Sequence, residues 1–130
     1  MMNTIAIQTA LVLEQDAVVR KMVDISDYEH PISKTIYKVG YYNSNGSRLR
    51  IIVGRTNQTN INAAIETERL IQQFNPTYLF FLGVAGGLKD VSVGDIVIGT
   101  DVIGYERGKA KEEFFLRPQF GFASYELEQK

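Results

Sequence analysis

The sequence predicts an α/β fold with a mixed, largely parallel central sheet flanked by helices. Two continuous apolar runs, Tyr78–Leu82 and Asp95–Thr100, are typical of strands that are covered on both faces. Between them lies a glycine loop, Gly83–Gly87, which holds three glycines in five residues. Small molecules bind at the carboxyl ends of strands in open α/β sheets, which makes this loop a candidate ligand site. The alternative is that the glycines only allow a tight connection between two strands.

Composition narrows the class of protein. The chain has 130 residues, of which 45% are hydrophobic and 22% charged, as expected for one small globular domain. A net charge of −1 without a basic tract gives no support for a nucleic-acid partner or a membrane surface. There are no cysteines, no signal peptide and no long apolar segment, which predicts a cytoplasmic protein. We expect no metal site and no cofactor, because no cluster of metal-ligand residues or cofactor motif is present.

The first half of the chain predicts strands and one helix. A short buried strand is expected at Ile5–Ile7, and apolar residues three and four apart predict a helix over Glu14–Val23. The polar stretch Ser26–Ser33, which contains the only histidine, is predicted to be a loop. Two further strands are expected to form a hairpin, because Asn and Gly tolerate positive φ in the connecting turn: Thr35–Tyr42 and Leu49–Val53, joined by Asn43–Gly46.

The second half predicts one helix and the two apolar strands. Thr59 or Asn60 can cap a helix that continues to Phe74 and is ended by Asn75-Pro76. Asp95 is expected to support the turn before its strand. The remaining stretches are a predicted loop and the first turns of a helix: Tyr105–Phe122 and Ala123–Lys130. A chain that ends by opening a helix is expected to be incomplete at its C-terminus.

Four stretches, in this order, resemble the purine nucleoside phosphorylase superfamily, and especially its methylthioadenosine/S-adenosylhomocysteine nucleosidases: Ile5–Glu14, Asn62–Ala64, Gly83–Leu88 and Val93–Ile98. The resemblance implies a nucleoside phosphorylase-like fold, of which residues 1–130 would be the N-terminal portion. It also implies cleavage of the N-ribosidic bond of a purine nucleoside, by water in the nucleosidases and by phosphate in the phosphorylases.

The resemblance places Glu14 on the catalytic residue that positions the attacking water. A carboxylate suits this task, since it can orient and deprotonate water opposite the leaving base. From the residues alone, the favoured interpretation of Glu14 is an acid in the first turn of a helix, stabilised there by the helix dipole; the resemblance reverses that preference.

The resemblance implies that the glycine loop contacts base and sugar through its backbone. The substrate-binding candidates are Ala85, Gly86 and Gly87, with Tyr105 at the mouth of the pocket unless it belongs to a solvated loop. Val84 departs from the family, which often has a serine there whose hydroxyl helps phosphorylases to hold phosphate. Its apolar side chain therefore favours hydrolysis. A second departure, Thr56–Asn60 in place of a glycine-rich turn, affects the neighbouring sugar contacts.

Two elements of the family do not occur in these residues: the Glu-Met-Glu segment that binds the ribose hydroxyls and the Asp that protonates the purine. We therefore expect a truncated nucleosidase that is inactive alone. The alternatives are a non-catalytic module that senses a nucleoside or binds a partner, a remnant reading frame without activity, and a phosphorylase. Uncovered apolar strands predict a homo-oligomer or a complex with a partner chain.

Overall fold

The computed structural model describes residues 2–57, 60–104, 108–110, 114–116 and 119–122. The chain divides into two compact units, Met1–Gly86 and Gly87–Lys130. In chain order, the first unit contains β1 (Thr4–Thr9), α1 (Val12–Val19), β2 (Val23–Glu29), β3 (Ile36–Ser44), β4 (Ser47–Arg55), α2 (Asn60–Phe74) and β5 (Tyr78–Phe81). The second contains the short strands β6 (Asp101–Gly104), β7 (Gly108–Ala110), β8 (Phe114–Leu116) and β9 (Gln119–Phe122).

The first unit is built on a five-stranded mixed sheet with the order β2-β3-β4-β1-β5. Strand β1 runs parallel to both β4 and β5, with Ile7 opposite Val53 on one side and Phe80 on the other. Strands β2, β3 and β4 pair antiparallel. The predicted α/β class with a mixed sheet is therefore confirmed, and its parallel part consists of β4, β1 and β5. These three strands end at the same edge of the sheet, here called the carboxyl edge.

Side chains along β1 and β4 alternate between the two faces of the sheet. One helix packs against each face. One face buries Ala6, Tyr37 and Ile52 against Leu70 of α2. The other buries Met22, Ile51 and Val53, with Val18 and Val19 of α1 packed against them.

The predicted hairpin and the second helix are confirmed. Asn45 and Gly46 have φ of 45° and 78° and connect β3 to β4, as a two-residue turn with two positive φ angles requires. Helix α2 ends at Phe74, and Asn75 follows with φ of 42°. The expected cap residue Thr59 lies outside the described residues.

The segment after α1 differs from its prediction. Helix α1 begins at Val12 and ends at Val19, and the chain then forms strand β2, where a loop was predicted over Ser26–Ser33. Most side chains of β2 are exposed because it is an edge strand with one partner, β3. Apolar residues alternate with polar ones only at Val23 and Ile25. The pairing with β3 is irregular between Val23 and Ser26, and the next apolar residue, Tyr28, is out of phase, so the alternation is too short to predict a strand.

The second unit also departs from its predictions. No described residue of Asp95–Thr100 belongs to a strand; strand β6 begins at Asp101 and pairs with β9. The predicted loop Tyr105–Phe122 contains the short strands β7, β8 and β9. Asp95 does support a turn, since its Oδ2 accepts the Ser92 N–H at 2.8 Å. The prediction of a helix over Ala123–Lys130 falls outside the described residues.

Candidate active site at the carboxyl edge

Two neighbouring strand ends form the candidate site. Strand β1 leads through Ala10 and Leu11 into α1, which carries Glu14 in its first turn. Strand β5 lies beside β1 and leads into Gly83, and the Leu82 N–H still donates to the Gln8 carbonyl at 2.8 Å. The pairing of the two parallel strands thus continues to Leu82, the residue before the glycine loop, and brings the loop next to the start of α1.

The Glu14 carboxylate joins these two strand ends. Its Oε2 accepts the backbone N–H groups of Ala10 at 3.0 Å and Leu11 at 2.8 Å. Its Oε1 accepts the backbone N–H of Val84 at 3.0 Å, across 70 positions of sequence. The residue is only 6% exposed. A buried carboxylate is costly unless it is hydrogen-bonded, and these three amides supply that stabilisation.

These hydrogen bonds lower the pKa of the Glu14 carboxyl from its ordinary value. The Val84 N–H makes the largest contribution, and burial opposes it by raising the pKa; the N–H groups of Leu11 and Ala10 lower it further. Hydrogen bonds to the charged form outweigh desolvation here. The side chain is therefore an ionised carboxylate at neutral pH.

Glu14 also has the structural role that its position in the helix predicts. It is the third residue of α1 and accepts the N–H of the N-cap residue Leu11, which satisfies one of the free amides of the first turn. Leu11 has no side-chain acceptor to complete the reciprocal half of a capping box. The additional bond to Val84 is not needed to cap α1, and it connects the helix to the glycine loop.

The glycines of the loop differ in their surroundings. A Cβ atom built on Gly83 would lie 2.9 Å from Glu14 Oε1, whereas one built on Gly86 would meet nothing within 4 Å. Gly87 begins the second unit, where such an atom would overlap the Val91 side chain. None of the three has a left-handed φ. Close approach at Gly83 and open space at Gly86, rather than unusual backbone angles, distinguish these positions.

The end of β4 completes the carboxyl edge. The Thr56 N–H donates to the Thr9 carbonyl at 2.8 Å, and the buried Thr56 hydroxyl donates to the Asn57 carbonyl at 2.8 Å. Asn57 follows with φ of 59°, a conformation that the family's glycine-rich turn would adopt easily. Thr56 thus fixes the exit of β4 beside that of β1.

The structure brings together some of the predicted site residues. Glu14 lies against Gly83 and Val84, and Ala85 and Gly86 follow directly as exposed residues of the same unit. Gly87 belongs to the other unit, and Tyr105 lies outside the described residues. The sequence did not indicate Gly83 as a contact of Glu14, nor the Val84 amide as its donor.

His30, the only histidine, has a structural role. The His30 Nδ1 accepts the N–H groups of Ile32 and Ser33 at 3.3 and 3.1 Å and so organises a turn. Across the described part of the chain, no group of three or more His, Cys, Asp or Glu residues is placed to hold a metal ion. No helix there is both long and apolar enough to cross a membrane.

Comparison with known proteins gives a consistent result. The family model described as "Phosphorylase superfamily" matches residues 4–130. An ATP nucleosidase from Escherichia coli is 30% identical over 123 residues, which cover 89% of this chain and 24% of that protein. A 5'-methylthioadenosine/S-adenosylhomocysteine nucleosidase from Halalkalibacterium halodurans is 34% identical over 89 residues, 61% of this chain and 38% of that protein.

A solved structure shares the fold. The 5'-methylthioadenosine/S-adenosylhomocysteine nucleosidase from Colwellia psychrerythraea, in complex with adenine, superimposes with a TM-score of 0.69 at 25% identity, over 82% of this chain and 42% of that one. The chain therefore spans less than half the length of these three relatives.

Proposed function

Because the chain belongs to the phosphorylase superfamily, we propose that it supplies the water-activating part of a purine nucleosidase site, with Glu14 as the catalytic carboxylate. The observation that carries the proposal is the buried, ionised Glu14 carboxylate at the carboxyl edge, beside a glycine loop with open space at Gly86. Relatives named as nucleosidases support hydrolysis of an N-ribosidic bond.

The hydrogen bonds of Glu14 indicate which oxygen would hold the water. A carboxylate oxygen has two lone pairs. Among the described residues, Oε2 already accepts two N–H groups and Oε1 accepts one. Oε1 therefore keeps one lone pair for a water molecule, and the hydrogen bond from Val84 fixes the orientation of Oε1.

The lowered pKa of Glu14 fits a late proton transfer. A carboxylate with a low pKa is a weak base, so it orients water well but removes its proton only when the water oxygen begins to bond to carbon. In the reaction that we propose, the bond from C1′ to the purine nitrogen breaks and its electron pair leaves with the base. Water then adds to the oxocarbenium-like sugar and Glu14 takes one proton from it. The departing purine takes a proton from solvent, and Glu14 returns its proton to solvent, so the reaction balances.

Hydrolysis is favoured over phosphorolysis by two features of Val84. Its side chain has no hydroxyl to bind phosphate, and its N–H already donates to Glu14 Oε1. A phosphate ion would find neither donor free at this residue. A phosphorylase remains the alternative that the experiment below distinguishes.

For the substrate, we propose an adenine nucleoside that binds at Ala85 and Gly86. The relatives are named for adenine compounds that differ at the 5′ position, from a methylthio group to a triphosphate, and one solved relative holds adenine. Their shared part is adenosine. A panel of adenosine, methylthioadenosine, S-adenosylhomocysteine and ATP therefore covers the class.

The proposal is tested by measuring adenine release by chromatography, from the chain alone and from a hybrid that continues into the remaining segment of a nucleosidase relative. We expect the hybrid to release adenine without phosphate and the chain alone to release little, because the purine-protonating Asp expected from the family was not identified in this sequence. Glu14→Gln should slow the hybrid by on the order of 10²-fold.

Asp16→Asn is the matched control, since Asp16 is an exposed carboxylate on the same helix. It should leave the rate unchanged. A strict requirement for phosphate would establish the phosphorylase alternative. Adenine binding by both proteins without release would instead establish the sensing module. A fully active Glu14→Gln hybrid would remove Glu14 from the mechanism.

We also propose that the chain assembles with a second copy or a partner chain. Strand β5 is at the edge of its sheet, and Phe80, Phe81 and Leu82 are 41%, 60% and 47% exposed. An apolar strand at an open edge is a template for association. Light scattering on the purified chain measures this directly, and a stable monomer would contradict it.

A further inference from the structure

Gly83 stands between the backbone of the glycine loop and the Glu14 carboxylate. A Cβ atom at this position would lie 2.9 Å from Glu14 Oε1 and 3.4 Å from Cδ. The distance to Oε1 is shorter than a non-bonded contact allows for a carboxylate that does not move, whereas the distance to Cδ is at the lower limit of ordinary contact. The φ of Gly83 is not in the left-handed region, so the backbone itself would accept alanine. The absence of a side chain is therefore required by the carboxylate.

A free glutamate would simply swing away from a new methyl group, but Glu14 is held by three amides. Two of them, from Ala10 and Leu11, lie within four positions of Glu14 and bind Oε2. The third comes from Val84 and binds Oε1, the atom closest to the added Cβ. Displacement would therefore break the contact with Val84 first and leave the contacts of the helix turn in place.

We propose that Gly83 is a positioning residue of the nucleosidase site: its missing side chain lets the Val84 amide reach Glu14 Oε1 and fixes the oxygen that holds the attacking water. Gly83 does not touch the substrate in this scheme and acts only through Glu14. The inference rests on the proposed function for its catalytic consequence, whereas its structural part concerns the Glu14–Val84 contact alone.

The structural part is tested by NMR titration of the full chain labelled with ¹³C at the glutamate carboxyls. The Glu14 signal is identified by its loss in Glu14→Gln. In Gly83→Ala the pKa of Glu14 should rise, because the Val84 N–H is the largest of the effects that lower it. An unchanged pKa in a folded Gly83→Ala protein would overturn the proposal.

Gly99→Ala is the control for the substitution itself. A Cβ at Gly99 would meet only the Asp101 carbonyl at 3.9 Å, an ordinary contact. Replacing glycine by alanine at such a position normally stabilises a protein slightly through the unfolded chain. Gly99→Ala should therefore leave the Glu14 titration unchanged.

A double substitution keeps the proposal testable if Gly83→Ala does not fold. Glu14→Asp shortens the side chain by one methylene and withdraws the carboxylate from the added methyl group. Gly83→Ala should therefore lower the melting temperature in the original chain but not in the Glu14→Asp background. An equal loss in both backgrounds would show that the methyl group meets something other than Glu14 and would refute the inference.

The catalytic part uses the hybrid described above. Misplacing a catalytic group by about 1 Å costs on the order of 10²-fold, so Gly83→Ala should lower kcat by about that factor with little change in KM. If Glu14→Gln proves fully active, the proposed function fails, yet the titration still decides whether Gly83 positions Glu14. If the titration shows no shift, the positioning role fails and the nucleosidase proposal stands.

Discussion

Ile52 and Ile98 both lie in segments that the sequence predicts as strands, yet the structure buries only the first. Ile52 is 0% exposed and Ile98 is 84% exposed. Ile52 lies in β4 between Val39 of β3 and Ala6 of β1, and Leu70 of α2 is in the same core cluster. Ile98 lies in the segment of residues 95–100, which forms no strand.

The same contrast holds for the units as wholes. Among the residues whose side chains the structure describes, all the fully buried apolar ones lie in Met1–Gly86, whereas Leu88, Val93 and Ile96 of the second unit are each at least 89% exposed. An apolar run thus identifies residues that can be buried. Burial itself requires neighbouring strands on both sides and a helix above them, and the first unit supplies these from its own elements.

The largest expected effect comes from truncating the two isoleucines. Ile52→Ala should lower the free energy of unfolding by about 2–5 kcal/mol, the usual cost of a cavity in a packed core. Ile98→Ala should change it by less than about 0.5 kcal/mol, as surface substitutions do. Urea denaturation followed by circular dichroism measures both. A loss at Ile98 comparable to that at Ile52 would show that Ile98 is covered in solution and would remove the contrast.

The sequence predicted those elements whose signals are local. Strand β1, the hairpin with Asn45 and Gly46, and helix α2 each have a hydrophobic period or a turn residue within a few positions. Strand β2 was missed because its side chains are mostly exposed and an irregularity between Val23 and Ser26 interrupts its apolar alternation. Residues 95–100 were assigned to a strand because apolar runs measure propensity, which tertiary pairing can fail to support.

The site was predicted only in part for a related reason. Glu14 and the glycine loop were found from their motifs, but the contact between them spans 70 residues. Such a contact depends on the register of β1 against β5, which no local pattern specifies. Thr56 likewise departs from the family motif. Its burial and its hydrogen bond from β4 to the end of β1 could not be predicted from the motif and are known only from the structure.

An intermediate effect is expected from two carboxylates that each accept a backbone N–H. Glu14 is buried and binds three amides, while Asp95 is exposed and binds Ser92. Glu14→Gln replaces one acceptor oxygen with an NH2 group, which cannot accept the backbone N–H groups, so buried donors are left unsatisfied. The free energy of unfolding should fall by about 1–3 kcal/mol at pH 7. Asp95→Asn should cost less than about 0.5 kcal/mol.

The pH dependence of the Glu14 effect has a definite sign. The folded pKa of Glu14 is lowered, so its contribution is complete above the unfolded value of about 4.3 and is lost as the pH falls through the folded value. The difference between the original chain and Glu14→Gln should therefore be full at pH 7 and shrink below about pH 4. Urea denaturation at a series of pH values tests this, and a difference that is independent of pH would contradict it.

The smallest expected effect compares two glycines with positive φ. Gly46 in the hairpin of the first unit has φ of 78°, and Gly94 in the second unit has φ of 99°. A Cβ atom at either position would meet nothing within 4 Å. Alanine therefore introduces backbone strain without a clash at both sites, which costs on the order of 1 kcal/mol where the turn must be kept.

The two units should respond differently to this equal strain. Gly46 joins β3 to β4 in the packed sheet, so global unfolding must release the strain, and Gly46→Ala should lower stability by about 1 kcal/mol. The turn at Gly94 lies among exposed residues and can rearrange locally. Gly94→Ala should therefore leave global unfolding unchanged and speed amide hydrogen exchange of its neighbours. Equal losses of global stability would mean that both turns belong to one cooperative structure.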